Sequence, residues 1–167
     1  LTIVNAAYLL KKYDKAKKIK FTIYGGGSDF NKCLQAVRKL SLKNIQFPGY
    51  IDREKVPEIL CKADILLATV RDCNTYSWGM NLNKIYDYMA AGRPIIFAGR
   101  APNNPIKLSK CGLSVNPESP NEIADAILKI SDMTLSETNK MAMKTRDYAI
   151  KNFDHNLLGK KFESMLV

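Results

Sequence analysis

The sequence is short of the residues that metal and redox sites need. Its 167 residues include one histidine, His155, and four cysteines (Cys33, Cys61, Cys73, Cys111), with no C-x-x-C pair among them. That spacing is neither a zinc ligand set nor the disulfide framework of a small secreted domain, so reduced thiols and no metal are expected. Long apolar runs are lacking too. The longest, residues 65–70, has strand length and falls far below the roughly 18 residues of a membrane span. The chain opens Leu1-Thr2-Ile3 without the charged start of a signal peptide, so a cytoplasmic location is expected. Internal repeats and low-complexity linkers are lacking as well, and a chain of this length reads as a single domain. Disorder is excluded, since 46% of the residues are hydrophobic and only 25% are charged.

Acidic residues are the minority. Sixteen Asp+Glu face 26 Lys+Arg, which leaves a net charge of +10. Such a balance asks for an anionic partner: nucleic acid, anionic lipid or a phosphorylated small molecule. Exposed aromatics interleaved with basic residues, or a recognised nucleic-acid module, are not found, so nucleic acid is not expected. Much of the charge lies in Lys11, Lys12, Lys15, Lys17, Lys18 and Lys20. The plain reading places these at the end of a first helix, near the negative pole of its dipole.

What is present is alternation. Nearly continuous apolar runs at residues 20–24, 44–47, 64–69, 94–98 and 112–115 read as strands covered by helices on both faces. Helical stripes separate them: Phe30, Cys33, Leu34, Val37; then Val56, Ile59, Leu60; then Leu82, Ile85, Tyr86, Met89. Ser119-Pro120-Asn121-Glu122 has the form of a capping box opening a helix that buries Ile123, Ile127 and Ile130. Two helical stretches, residues 136–151 and 155–166, close the chain. The pattern predicts an α/β fold, a Rossmann-like, doubly wound parallel sheet flanked by helices. A helical run at residues 3–13 comes first, whereas the first strand of such a sheet is central and its following loop touches the ligand. At least one further strand is therefore expected upstream, in a larger protein.

Ligands of such sheets bind beyond the carboxyl ends of the strands, which singles out three segments. Gly25, Gly26 and Gly27 follow the first strand. They serve equally as a tight turn needing positive φ or as the lining of a ligand cleft, and Phe30 breaks any G-x-G-x-x-G fingerprint. The second segment is the long loop after Val70 that leads through Gly79 into Asn81, Leu82, Asn83 and Lys84. With Asn81 as N-cap, the amides of Leu82, Asn83 and Lys84 would suit a phosphate. Asp87, four residues after Asn83, shares its helix face and can accept from ribose hydroxyls; a merely solvated acid is the plain alternative. The third segment, Gly49-Tyr50-Ile51, offers a ring to stack on a base and backbone to read its edge. Core packing is the commoner fate of such a tyrosine.

The run Asn83-Lys84-Ile85-Tyr86-Asp87-Tyr88-Met89-Ala90-Ala91-Gly92-Arg93-Pro94-Ile95-Ile96 resembles a motif of the group 1 retaining glycosyltransferases of GT-B fold, in their bacterial surface-polysaccharide branch. Ile23–Gly27, Asn44–Gly49, Ala63–Leu67 and Cys111–Pro117 resemble that family's C-terminal, donor-binding domain in the same order. The resemblance implies a fragment of a two-domain enzyme that transfers sugar from a nucleotide diphosphate, UDP above all, to a glycan or lipid-linked acceptor with retention. The donor is a substrate, and no cofactor is implied. Gly79 and Asn81 to Lys84 would receive the diphosphate, Asp87 the ribose, and Gly49, Tyr50 and Ile51 the nucleobase. Gly79 stands where the family's E-x7-E pattern has its first acid, as the polysaccharide branch allows. No side chain here is a nucleophile, catalytic residues stay unassigned, and the fragment alone is expected to be inactive. The acceptor would sit on the N-terminal domain, and the basic face could rest on the anionic inner face of the cell membrane. The alternatives are a non-catalytic nucleotide-binding or interaction module and a UDP-sugar epimerase of the same fold.

Overall fold

The computed structural model describes residues 1–166. In chain order the elements are α1 (Thr2–Leu10), β1 (Phe21–Tyr24), α2 (Phe30–Lys39), β2 (Ile45–Gly49), α3 (Val56–Lys62), β3 (Leu66–Thr69) and α4 (Asn83–Ala90). They continue with β4 (Ile95–Ala98), α5 (Pro105–Ser109), β5 (Gly112–Val115), α6 (Pro120–Ser131), α7 (Leu135–Phe153) and α8 (His155–Glu163). Short 3₁₀ turns occupy Asp14–Lys18, Arg53–Lys55 and Asn74–Trp78.

All pairing is parallel, as expected, but it forms two ladders rather than one continuous sheet. β1 lies beside β2, with Phe21 opposite Ile45. The other ladder runs β3-β4-β5, with Leu66 opposite Ile95 and Ile95 opposite Gly112. Among the described residues β1 and β3 do not pair with each other, and each has one strand partner. All four residues of β4 are buried, which is why its sequence reads as apolar without alternation. Its two faces feed two cores. Ile96 and Ala98 pack with Val4, Ala7 and Leu10 of α1 and with Ile123 and Ile127 of α6. Ile95 and Phe97 pack with Ile85 and Met89 of α4, and with Ile106 and Ala149.

Two local expectations are corrected. α1 ends at Leu10 with no basic residue in its last turn; Lys11, its C-cap, and Lys12 stand at the helix end, whereas Lys17, Lys18 and Lys20 lie beyond it. Bonds from Lys11, Lys12 and Tyr13 amides to the carbonyls three residues back tighten and stop the helix, and Lys17 pairs with exposed Asp14 in the following 3₁₀ turn. The capping box expected at α6 is only half formed. Ser119 Oγ accepts from the Glu122 amide at 3.4 Å, but the Glu122 carboxylate turns to the amide and side chain of Asn116. The complete box opens α7, between Thr134 and Glu137.

Candidate functional site

Glycines shape the carboxyl ends of β1 and β2. Gly25 (φ 102°), Gly27 (φ 138°) and Gly49 (φ 90°) hold backbone conformations that side chains disfavour, and the Gly25 amide donates to the Gly49 carbonyl at 2.7 Å. The turn so formed borders a cavity of about 400 Å³ lined by Gly25, Gly26, Gly27, Phe30, Asn31, Gly49 and Tyr50. Gly25 and Gly27 thus take the positive φ expected of a tight turn, and all three glycines border the cavity. Tyr50 is 83% exposed, so core packing is not its role. Ile51 is half-buried and lies outside the lining. From sequence, Phe30 stands out only as a helix-stripe residue and as the break in the glycine fingerprint, and Asn31 not at all; their place in the first turn after a glycine loop is the signal that points to the cavity.

The helix α4 begins one residue later than expected. Its N-cap is Leu82 (φ −116°, ψ 107°), not Asn81, and no side chain caps it. Leu82 packs against the core that holds Ile85 and Met89, and burying it leaves Asn81 exposed outside the helix. The Ile85 amide already bonds to the Leu82 carbonyl at 2.9 Å, so Asn83 and Lys84 carry the leading amides. Asn83, Lys84 and Asp87 are exposed, while Ile85 and Met89 are buried, as the helical spacing requires. Tyr88 beside them is held above its ordinary pKa by burial and, secondarily, by the Asp87 charge.

The loop before α4 is tied down by its neighbours. Gly79 takes φ 120° at the end of the Asn74–Trp78 turn. Next to it, the Asn103 side chain accepts from the Met80 amide and donates to the Met80 carbonyl, both at 2.8 Å. Arg100 reaches Asp72 and Asn116, each at 3.3 Å, and the Asp72 amide donates to Glu118. Arg71 pairs with Asp29 at 3.0 Å, joining the loop after β3 to the loop after β1. Hydrogen bonds from Asn116 hold the Glu122 carboxyl below its ordinary pKa.

A larger cavity, about 880 Å³, opens beyond β3, β4 and β5 and is lined by Asp72, Tyr76, Arg100, Asn104, Lys107 and Asn116 among others. Gly79, Asn81, Leu82, Asn83, Lys84 and Asp87 line neither cavity. The structure therefore gathers the glycines with Tyr50 and leaves the α4 residues on a separate, exposed surface at the carboxyl side of the strands. Among the described residues no three His, Cys, Asp or Glu are grouped to hold a metal, and no helix is long and apolar enough to cross a membrane.

Solved structures share this fold. The chain is similar to TarM of S. aureus, whose structure holds fondaparinux, alpha-GlcNAc-glycerol and UDP, with a TM-score of 0.80 and 21% identity over 98% of this chain and 31% of that one. It is similar to Anabaena HepE in complex with UDP, with a TM-score of 0.80 and 19% identity over 99% of this chain and 44% of that one. A structure described as "Trehalose-6-phosphate from E. coli bound with UDP-2-fluoro glucose" aligns with a TM-score of 0.74 and 22% identity, over 98% of this chain and 40% of that one. The chain thus spans less than half the length of these proteins and matches one Rossmann-like half of the GT-B fold. No curated protein matches by sequence. The family model described as "Glycosyl transferases group 1" matches residues 2–133. The chain belongs to the glycosyl transferases group 1 family.

Proposed function

We propose that this chain is the donor-binding half of a retaining glycosyltransferase that uses a UDP-sugar, in a bacterial surface-polysaccharide pathway, with a glycan or lipid-linked acceptor held by an N-terminal half. The observation that carries the reading is the start of α4. Its leading amides at Asn83 and Lys84 receive no side-chain cap, and they follow a loop anchored at Met80. A helix N-terminus presents roughly half a positive charge with free donors, which is what a leaving diphosphate needs as charge builds on it. Gly79 lets the diphosphate approach the backbone, Lys84 adds a cation, and Asp87 one turn on accepts from the ribose hydroxyls. The uracil lies by Gly49, Tyr50 and Ile51, with Gly25, Gly26 and Gly27 giving room beside it.

The two-domain organisation is part of the same proposal. It is supported by the 31–44% of each neighbour that the chain covers, and by β1 and β3, each of which has a ladder partner on one edge only among the described residues. A central strand preceding α1 would pair with both. The net charge of +10 supports a peripheral seat on anionic lipid near the acceptor; co-sedimentation with vesicles that ignores their anionic content contradicts that seat.

Calorimetric titration of the wild type and Asp87→Ala with UDP, GDP and ADP tests the donor site. UDP binding that weakens about tenfold in Asp87→Ala supports it. Equal, negligible heats for all three nucleotides overturn it.

A further inference from the structure

The segment after β4 lines the larger cavity through Arg100 and Asn104, and it also reaches into the loop that leads to α4. Asn103 lies in that segment and is itself exposed. Its amide nonetheless makes the reciprocal pair of 2.8 Å bonds with the backbone of Met80, Nδ2 donating to the carbonyl and Oδ1 accepting from the amide. Met80 is buried, so the pair fixes a residue whose side chain is already anchored. The residue before it is Gly79 at φ 120° and ψ 172°, a region open in practice only to glycine and one that no side chain of its own can stiffen. A Cβ on Gly79 would stand 3.3 Å from the Asn103 amide, so the side chain packs flat against the glycine as well.

We infer that Asn103 is a positioning residue that holds the Gly79–Met80 backbone so that the leading amides of α4 meet the diphosphate in a fixed register. This rests on the donor-site reading given above. A glycine hinge left unheld would have to be ordered at each binding event, and that ordering lowers affinity. The base region at Gly26 and Tyr50 is built from other loops and does not depend on Asn103.

The test compares wild type, Asn103→Ala and Asn103→Asp, the last being isosteric but lacking the donor to the Met80 carbonyl. UDP and uridine are titrated, and amide hydrogen exchange is followed across residues 79–84. Expected are melting temperatures within a few degrees of wild type, UDP affinity about tenfold weaker in both variants, uridine affinity unchanged, and faster exchange at Met80 in Asn103→Ala, whereas Asn103→Asp keeps the acceptor for that amide. UDP affinity that stays at the wild-type value, or an equal loss for UDP and uridine, overturns the inference. Should wild type bind neither ligand, the donor-site reading fails. The exchange data then decide the clamp alone: faster exchange at Met80 in Asn103→Ala supports it, and unchanged exchange in that variant overturns it.

Discussion

The hydroxyl of Tyr50 occupies the space that a side chain on Gly26 would need: a Cβ there would lie 2.7 Å from Oη and 3.0 Å from Cζ. Glycine at that position is thus the condition for the tyrosine ring to close one side of the cavity beyond β1 and β2. The atoms in the way are the far end of an exposed side chain, not backbone. Gly26→Ala is therefore expected to displace the ring and to leave the fold standing, with a change in stability within about 0.5 kcal/mol. Uridine affinity should fall about fivefold, near 1 kcal/mol for a lost aromatic contact, as read by calorimetry beside a thermal melt.

Thr145 in the middle of α7 is fully buried, with Oγ1 2.8 Å from the carbonyls of both Cys111 and Met141. The bond to Cys111 docks α7 against the entry to β5. Thr145→Val keeps the shape and removes the donor, leaving the Cys111 carbonyl buried without it. A loss of about 1–3 kcal/mol in denaturant unfolding is expected, with nucleotide affinity unaltered in the folded fraction.

Acid should weaken the two carboxylates that organise helix starts. Glu122, bonded first to the Asn116 side chain, and Glu137, bonded first to the Thr134 amide, are both held below their ordinary value of 4.5. A depressed folded pKa contributes stability that is fully present above the unfolded value and is lost as pH falls through the folded one. The two groups thus add nothing to the pH dependence between neutrality and about 4.5, and their contribution declines below it. Melting temperatures of wild type and the Glu122→Gln, Glu137→Gln double variant should differ most above pH 5 and converge progressively as the pH falls below 4.5. A gap that stays constant across that range contradicts the assignment.

Much of this architecture can be read from residue patterns, and the exceptions have local causes. The strands were legible because each is a continuous apolar run, and all five lie within two residues of the expected stretches. Residues 105–109 were not read as a helix, since five residues are too few to show a period; Asn104 makes it by accepting from the Ile106 amide. The start of α4 was misread by one residue because Asn81 and Asn83 both resemble caps, and only the burial of Leu82 against the core decides between them. The capping box was assigned to Ser119 because its spacing is right, but Glu122 has a stronger partner in Asn116, six residues back. The exposure of Tyr50 and the reach of Asn103 to Met80 are tertiary facts that spacing along the chain does not encode.

The most direct measurement is the amide nuclear magnetic resonance spectrum of this chain titrated with UDP and, separately, with uridine. UDP should shift the amides of Asn83 and Lys84 strongly and those around Gly26 and Tyr50 as well, whereas uridine should move only the latter group. If UDP leaves the Asn83 and Lys84 resonances where they were while shifts appear elsewhere, the start of α4 is not where the diphosphate sits.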